Sequence, residues 1–438
     1  MTRATPAVPK DFLHQSGRGT GSPSASDQQI RLLIRFAGRL DERLLEQAFR
    51  ALPDQDPVLG CRFVETGVLE GRWERRDDLA SLRPYEVVET AEPEAAITAF
   101  LTDLEVPEDG PHFCARLVRS GGRDALCFRI DHRLADGGGA KAIAYLLAEL
   151  YRTLRAGGML PAPAAGFRPR AVAGLSGRPP PPRPPPLERR PLRFPFLLPR
   201  TGLRNERPAH AQRDIQPEEL ARLREAGKRR GATVTDLLLT ALVRALQPFC
   251  RAPGEPFSLS VSCDFRSQLP PAARDPICNL FGTLFPALRC LPGEPFPATL
   301  DRVVGAMSGL RANLTLDRAL VAELEFEDLL RGWAREQGWP IRFGGRDATF
   351  VILSNVGVFD HQRLDFGGPP VADARVLGTV ALGQELLLCV SSFRGRLTLS
   401  HGFCRSDLDQ AVVDRVMDGM VAELAAFAGD PADPHRDR

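Results

Sequence analysis

Lysine is nearly absent from this chain. The 438 residues include only Lys10, Lys141 and Lys228, so arginine supplies almost all of the positive charge. The 57 basic residues are balanced by 55 acidic ones, giving a net charge of +2. Because the arginines are spread along the chain beside Asp and Glu, with no basic block interleaved with aromatic residues, the charge pattern argues against a nucleic-acid partner.

Long apolar runs, a signal peptide and paired cysteine motifs are also missing. No stretch approaches the ~20 apolar residues that a membrane-spanning helix needs, and the N-terminal MTRATPAVPKDF lacks the apolar core of a signal peptide. The nine cysteines are an odd number, widely spaced and without a CxxC pair. This usage predicts free thiols in a reducing compartment rather than a disulfide framework or zinc knuckle. We therefore expect a soluble, cytoplasmic protein.

Length and composition predict two lobes, because 438 residues exceed one typical core. Residues 1–27 are polar and rich in Gly, Ser and Pro, which predicts a flexible segment before an N-terminal lobe over 28–160. Residues 161–212 are dominated by Pro, Arg and Gly, which predicts a semi-rigid linker. An SH3-type ligand would share this composition, but nothing else in the chain points to signalling. A C-terminal lobe over 213–428 and a flexible tail over 429–438 complete the predicted organisation.

Apolar periodicity predicts an α+β fold. QIRLLIRFAG reads as a strand and DERLLEQAFRAL as a helix, while ATFVILSNVG is apolar on both faces and predicts an interior strand. A capping box from Thr233 to Asp236 opens a second-half helix, and ELLLCVSSFRGRLTLSHGF predicts a hairpin turning near Arg394 and Gly395. Strands outnumber βαβ units, and no glycine-rich nucleotide-binding loop is present.

The segment RIDHRLADGGGA contains the strongest candidate site. ALCFRIDH alternates, so His132 shares a face with Leu126, Phe128 and Ile130 and points into the lobe. Apolar spacing predicts a helix after the glycines, which places His132 where a strand leaves its sheet and Asp136 where it can fold back beneath it. A metal site would need more ligands. A hydrogen-bonded buried histidine and a general base both remain open, and a partner elsewhere in the chain would decide between them.

Motifs in three parts of the chain resemble one enzyme family. His132, Asp136 and Gly137 form the HxxxDG motif of the chloramphenicol-acetyltransferase-like superfamily of thioester-dependent acyltransferases, which includes condensation domains and BAHD enzymes. SCDFRSQLPPAARDPICNLFG resembles the RxRxxP…GN segment of BAHD-type enzymes, and SNVGVFDHQRLDFGGPP resembles the region that ends in their DFGWG motif. The resemblance covers roughly 28–428 and implies two chloramphenicol-acetyltransferase-like lobes. Each would be a mixed sheet flanked by helices, and the lobes would meet in a V with a central tunnel.

The chain departs from the family pattern at several positions. Condensation domains usually carry two adjacent histidines, but Asp131 occupies the first position here. The tryptophan of DFGWG is missing, and the asparagine–glycine element is only approximate, at Asn279 and Gly282. The layout is most similar to standalone bacterial alcohol acyltransferases and BAHD-like members.

The resemblance implies a reaction. An acyl group would pass from the phosphopantetheine thioester of acyl-CoA or an acyl carrier protein to an alcohol or amine acceptor. His132 would act as general base for direct attack, through a tetrahedral intermediate. The resemblance implies no tightly bound cofactor, no metal and a monomer. The alternatives are a carrier-protein-dependent condensation enzyme of natural-product biosynthesis and a non-catalytic member that acts as a binding module.

The resemblance also assigns roles to residues around His132. Asp136 would pair with Arg266 of the other lobe and orient the loop, and Gly137 would permit close packing. Gly138 and Gly139 would only loosen the turn. Ser354 and Asn355 would donate hydrogen bonds to the oxyanion, and Asp365 would be structural and remote from the chemistry.

Overall fold

The helices and strands follow the apolar periodicity of the sequence. A computed structural model describes residues 3–12, 27–104, 110–179, 181–182, 193–201, 208–273, 275–337, 348–383 and 385–429. The helices are α1 (Glu42–Gln55), α2 (Pro93–Thr102), α3 (Gly137–Arg155), α4 (Val172–Ser176), α5 (Pro217–Arg229), α6 (Val234–Ala245), α7 (Phe296–Ala312), α8 (Leu316–Gln337) and α9 (Gln410–Gly429). Within the described ranges, none of them combines the length and apolarity needed to span a membrane.

The strands are β1 (Ala4–Pro6), β2 (Gln29–Phe36), β3 (Cys61–Gly67), β4 (Glu70–Arg75), β5 (Tyr85–Glu89), β6 (Phe113–Ser120), β7 (Arg123–Asp131), β8 (Pro208–Ile215), β9 (Pro256–Ser258), β10 (Ser260–Asp264), β11 (Phe281–Leu284), β12 (Ala287–Arg289), β13 (Phe350–Val358), β14 (Val371–Leu377), β15 (Val380–Ala381), β16 (Glu385–Phe393) and β17 (Arg396–Cys404). Two larger sheets and two small ones contain them.

The sheet of the N-terminal lobe has the order β14-β2-β7-β6-β5. Its interior strand β7 alternates as predicted. Leu126, Phe128 and Ile130 pack into the core beneath α1 and α3, whereas Cys127 packs on the opposite face against α2. Because helices cover both faces, β7 is buried from Asp124 to Asp131, and it places His132 at the edge of the core.

The sheet of the C-terminal lobe has the order β11-β10-β13-β16-β17, and both β8 and β15 pair with β17. Strand β13 is an interior strand, as predicted, and runs parallel to both of its neighbours. The predicted hairpin is also confirmed: β16 and β17 are antiparallel, and Arg394 and Gly395 turn with φ of 47° and 83°. Mixed sheets flanked by helices in both lobes confirm the α+β class.

The predicted lobe boundaries differ from the structure in three places. Strand β14 pairs with β2 in the sheet of the N-terminal lobe, although it lies within the predicted C-terminal lobe. Residues 3–12, which were predicted to be flexible, include β1, which pairs with β4, and a buried Asp11. Residues 161–179, predicted to be linker, contain α4 and the buried Arg170. Residues 183–192 of that linker and the tail after Gly429 lie outside the described residues.

Candidate active site

His132 lies in the short connection between β7 and α3. The strand ends at Asp131 and the helix begins at Gly137, with Asp136 as its N-cap. The Asp136 carboxylate accepts a hydrogen bond of 2.9 Å from the backbone N–H of Gly139, which satisfies a donor that the first helical turn leaves free. The three glycines therefore form the first turn of α3 rather than the loop that the sequence predicted.

Asp136 and Arg266 form a buried ion pair between the two lobes. The two guanidinium nitrogens lie 2.8 and 3.0 Å from the two carboxylate oxygens, and both side chains are less than a tenth exposed. Burial alone would raise the pKa of Asp136, but the charge and hydrogen bonds of Arg266 hold it below its ordinary value. The N–H of Leu280 adds a bond of 2.7 Å to the same carboxylate. The ionised pair thus fixes the start of α3 against the second lobe.

Arg266 is held by more than Asp136. Its Nη2 donates to the carbonyls of Cys278 at 2.8 Å and Pro276 at 3.3 Å, and its Nη1 lies 3.2 Å from the Asp264 carboxylate. The guanidinium therefore links the segment 276–280 to the residues that follow His132. Because that segment also carries Asn279, the ion pair positions a second polar side chain beside His132.

Close packing explains the glycines after Asp136. A Cβ built on Gly137 would lie 2.8 Å from a Val356 methyl group, and one on Gly138 would lie 2.5 Å from Nη1 of Arg266. A Cβ on Gly139 would lie 2.8 Å from that of Ala135. These distances are too short for real Cβ atoms. Gly137 permits close packing, as predicted, but Gly138 and Gly139 do the same and do not merely loosen a turn.

We expect Gly138→Ala to displace the Arg266 guanidinium, because its partners leave it little room to move. Unfolding in urea should show a loss of about 1–3 kcal/mol, the usual cost of forcing extra atoms into a packed site. Gly305→Ala is the matched control. Gly305 also lies in a helix, α7, but no atom lies within 4 Å of a Cβ at that position. That variant should gain up to about 1 kcal/mol, and an equal response of the two variants would contradict the packing argument.

The His132 side chain contacts Asn279 and Phe281. Its Nδ1 lies 3.1 Å from Oδ1 of Asn279, and its ring meets the Phe281 ring edge-to-face at 5.9 Å. His132 is half-buried, whereas Asn279 is fully buried. Burial lowers the pKa of His132 below its ordinary value, although the Asp136 carboxylate opposes this shift. This direction of shift favours the neutral imidazole, which is the form that can accept a proton.

The two predicted oxyanion donors have different environments on β13. Leu353 packs into the core of the C-terminal lobe, so strand alternation places Ser354 on the opposite face. Asn355 donates from Nδ2 to the Thr235 hydroxyl at 3.1 Å and accepts from the N–H of Gly357 at 3.0 Å. Its amide thus stabilises the irregular end of β13 against α6. The oxyanion role remains a prediction, and the Asn355 amide is already engaged with Thr235 and Gly357.

Asp131 belongs to a buried cluster behind the loop that carries His132. Its carboxylate lies 2.6 Å from Nη2 of Arg133 and 3.2 Å from Nδ1 of His112. Burial would raise the pKa of Asp131, but these two partners hold it well below its ordinary value.

Asp365, predicted to be structural, is exposed and accepts from the N–H of Gly367 at 2.8 Å.

Arg170 is a buried contact of the loop that sequence reasoning missed. Its Nη2 lies 2.8 Å from the Asp11 carboxylate and 3.1 Å from the Leu134 carbonyl, and its Nη1 donates to the Ile277 carbonyl at 2.8 Å. One guanidinium thus joins the N-terminal segment, the loop after His132 and the segment that carries Asn279. No spacing marks it, because it is one of many arginines in a Pro- and Arg-rich segment.

Comparison with known proteins identifies the fold. No protein-family model matches the chain, and no curated protein matches it at the sequence level. Among solved structures, TRI3 trichothecene 15-O-acetyltransferase from Fusarium sporotrichioides is 13% identical with a TM-score of 0.71, covering 97% of this chain and 95% of that one. The first condensation domain of the calcium-dependent antibiotic synthetase is 20% identical with a TM-score of 0.67, covering 97% and 96%. The EpoB cyclization-docking bidomain from Sorangium cellulosum is 18% identical with a TM-score of 0.67, covering 98% and 86%.

The similarity spans both lobes, so the predicted two-lobed, chloramphenicol-acetyltransferase-like fold is confirmed. Among the residues that the structure describes, no three or more His, Cys, Asp or Glu side chains are grouped so as to hold a metal ion.

Proposed function

We propose that this protein is an acyltransferase that moves an acyl group from a pantetheine thioester, on CoA or an acyl carrier protein, to the hydroxyl or amine of a small acceptor. The observation that carries this proposal is a half-buried His132 on a loop that the buried Asp136–Arg266 pair locks across the two lobes. A positioned imidazole that is unprotonated at neutral pH is suited to general-base catalysis.

The proposed reaction is direct transfer. The ring nitrogen of His132 that does not face Asn279 takes the proton of the acceptor as its oxygen or nitrogen attacks the thioester carbonyl. The tetrahedral intermediate then expels the thiolate, so that a C–O or C–N bond replaces the C–S bond. The proton on His132 passes to the departing sulfur. Ser354 is the better-supported candidate to donate a hydrogen bond to the oxyanion.

Cys278, which is adjacent to Asn279 in sequence, is poorly suited to form a covalent acyl intermediate. Burial raises the pKa of the Cys278 thiol to about 12, so at neutral pH it remains protonated and a poor nucleophile. Its backbone carbonyl, by contrast, accepts from Arg266. Cys278 is therefore a packing residue, which supports attack by the acceptor itself.

Condensation of carrier-bound partners is the second candidate function. The specific observation in its favour is the fold similarity to the first condensation domain of the calcium-dependent antibiotic synthetase. The replacement of the first motif histidine by Asp131, which is locked in its own ion cluster, counts against it.

The donor distinguishes these functions. The full chain is incubated with a panel of acyl-CoAs or with an acylated carrier protein, each with alcohol and amine acceptors, and free thiol and product mass are measured. We expect thiol release from acyl-CoA that requires an acceptor. Thiol release from the acylated carrier protein but not from any acyl-CoA would favour condensation. No thiol release from any donor would contradict both functions and favour a binding module.

A further inference from the structure

Asn279 contacts both the ring and the backbone of His132. Its Oδ1 faces Nδ1 of the ring at 3.1 Å, while its Nδ2 donates to the His132 carbonyl at 2.7 Å and to the Arg133 carbonyl at 3.3 Å. We propose that Asn279 is a positioning residue that sets the tautomer of His132, so that Nδ1 carries the hydrogen and Nε2 is the basic nitrogen. The effect of Asn279 on catalysis rests on the proposed function, but the assignment of the His132 tautomer does not.

The orientation of the Asn279 amide follows from its partners. Two backbone carbonyls can only accept hydrogen bonds, so the NH₂ group must face them and the amide oxygen must face the ring. An amide oxygen accepts only, and therefore Nδ1 of His132 must be the donor. The carbonyl of His132 itself provides a second acceptor for its ring. The lone pair of the neutral imidazole is thus left on Nε2.

The reverse orientation of the amide is costly. Asn279 is fully buried, so a flipped amide would hold its oxygen against two carbonyl oxygens, away from bulk solvent. The buried NH₂ group of Asn279 would also lose its two acceptors, the carbonyls of His132 and Arg133. The backbone of Asn279 is also held in place relative to His132, because the adjacent Cys278 carbonyl accepts a hydrogen bond from Arg266 and the adjacent Leu280 N–H donates one to Asp136. The ion pair that locks the loop therefore also places the residue that orients the ring.

The tautomer can be measured without an assay of activity. In the full chain labelled with ¹⁵N at the histidine rings, long-range ¹H–¹⁵N spectra at a pH where the ring is neutral distinguish the protonated nitrogen from the bare one. His132 is assigned by the signals that disappear in His132→Gln. We expect a protonated Nδ1 and an unprotonated Nε2, and the opposite tautomer in the unmodified chain would overturn the proposal. His112, whose Nδ1 faces Asp131 and whose Nε2 accepts from the Phe63 N–H at 3.1 Å, serves as an internal reference for the same tautomer.

Two variants separate positioning from a structural role. Asn279→Leu removes the acceptor, so the His132 signals should shift toward the other tautomer. The value of kcat should fall by about 10–100-fold, as for other hydrogen-bond partners that orient a histidine. Asn279→Asp keeps an oxygen beside Nδ1 and adds a negative charge, so it should retain the tautomer, and the acid limb of its kcat/KM profile should move to higher pH. Its second oxygen would face the carbonyls of His132 and Arg133, so its free energy of unfolding should fall.

An Asn279→Leu chain with an unchanged tautomer and unchanged kcat would overturn the positioning role. So would an Asn279→Asp profile that matches that of the unmodified chain. A correct tautomer in a chain that transfers no acyl group would refute the proposed function and leave the tautomer assignment standing. If Asn279→Leu does not fold, the spectrum of the unmodified chain still decides the assignment.

Discussion

Replacing His132 by alanine is expected to lower kcat/KM by about 10²–10⁴-fold, the usual contribution of a general base, and to lower the free energy of unfolding by only about 1–3 kcal/mol, the cost of leaving the buried Oδ1 of Asn279 without its donor. The side chain is half-buried and contacts Asn279 and the Phe281 ring, so its removal leaves no unpaired charge in the core. The backbone N–H of His132 still donates to Gln28 at 2.9 Å. Acyl transfer from acyl-CoA and unfolding in urea, measured on the same preparation, test both halves of this expectation.

The pH dependence gives an independent signature of His132. Burial holds the pKa of its imidazole below the ordinary 6.5, so the basic form predominates at neutral pH. In the unmodified chain kcat/KM should be level above that value and should fall at lower pH, as a proton occupies the ring. This acid limb should be absent from the residual activity of His132→Ala. His361→Ala is the control, because His361 is exposed on a turn and should affect neither rate nor profile. A fully active His132→Ala chain would remove the basis of the proposed function.

Local periodicity predicted the parts of the fold that local forces determine. The alternation in ALCFRIDH is confirmed for Leu126, Phe128 and Ile130, because a strand has a period of two and one face of β7 packs beneath α1 and α3. His132 lies just beyond the end of β7, and its ring contacts Asn279 and Phe281. The capping box from Thr233 to Asp236 is present at the start of α6. The pairing of Asp136 with Arg266, 130 residues apart, came from motif resemblance, since no periodicity links such distant positions.

The remaining features depend on contacts that no local pattern encodes. Strand β14 completes the sheet of the N-terminal lobe from far along the chain, so composition could not assign it to that lobe. Asn279 lies 147 residues from His132, and a single asparagine in a loop carries no signal beyond an approximate motif. The glycines after Asp136 were predicted as a loop because glycine allows the chain to turn tightly. Their place in α3 follows from the room that Arg266 and Val356 need.

The ion pair between Asp136 and Arg266 should have the largest effect on stability. Asp136→Asn keeps an acceptor for the Gly139 N–H, since asparagine caps helices as well as aspartate does. It removes the charge that compensates Arg266, however, and an uncompensated buried charge costs about 3–5 kcal/mol in the free energy of unfolding. In the double variant Asp136→Asn, Arg266→Met that charge is gone as well, so the loss should be smaller than the sum of the two single losses.

The pH dependence of unfolding shows whether this loss comes from the carboxylate charge. Because Arg266 holds the pKa of Asp136 below 3.8 in the folded state, the stabilisation is fully present above that value and is lost as the pH falls through the lower, folded pKa. The difference between the unmodified chain and Asp136→Asn should therefore shrink in acid. Glu46→Gln is the matched control, because Glu46 pairs with Arg50 at 2.8 Å while both side chains are about half exposed, and it should cost no more than about 0.5 kcal/mol. If Asp136→Asn cost no more than Glu46→Gln at neutral pH, the pair could not be what locks the loop of His132, and the position of the base would have to depend on Asn279 and Arg170.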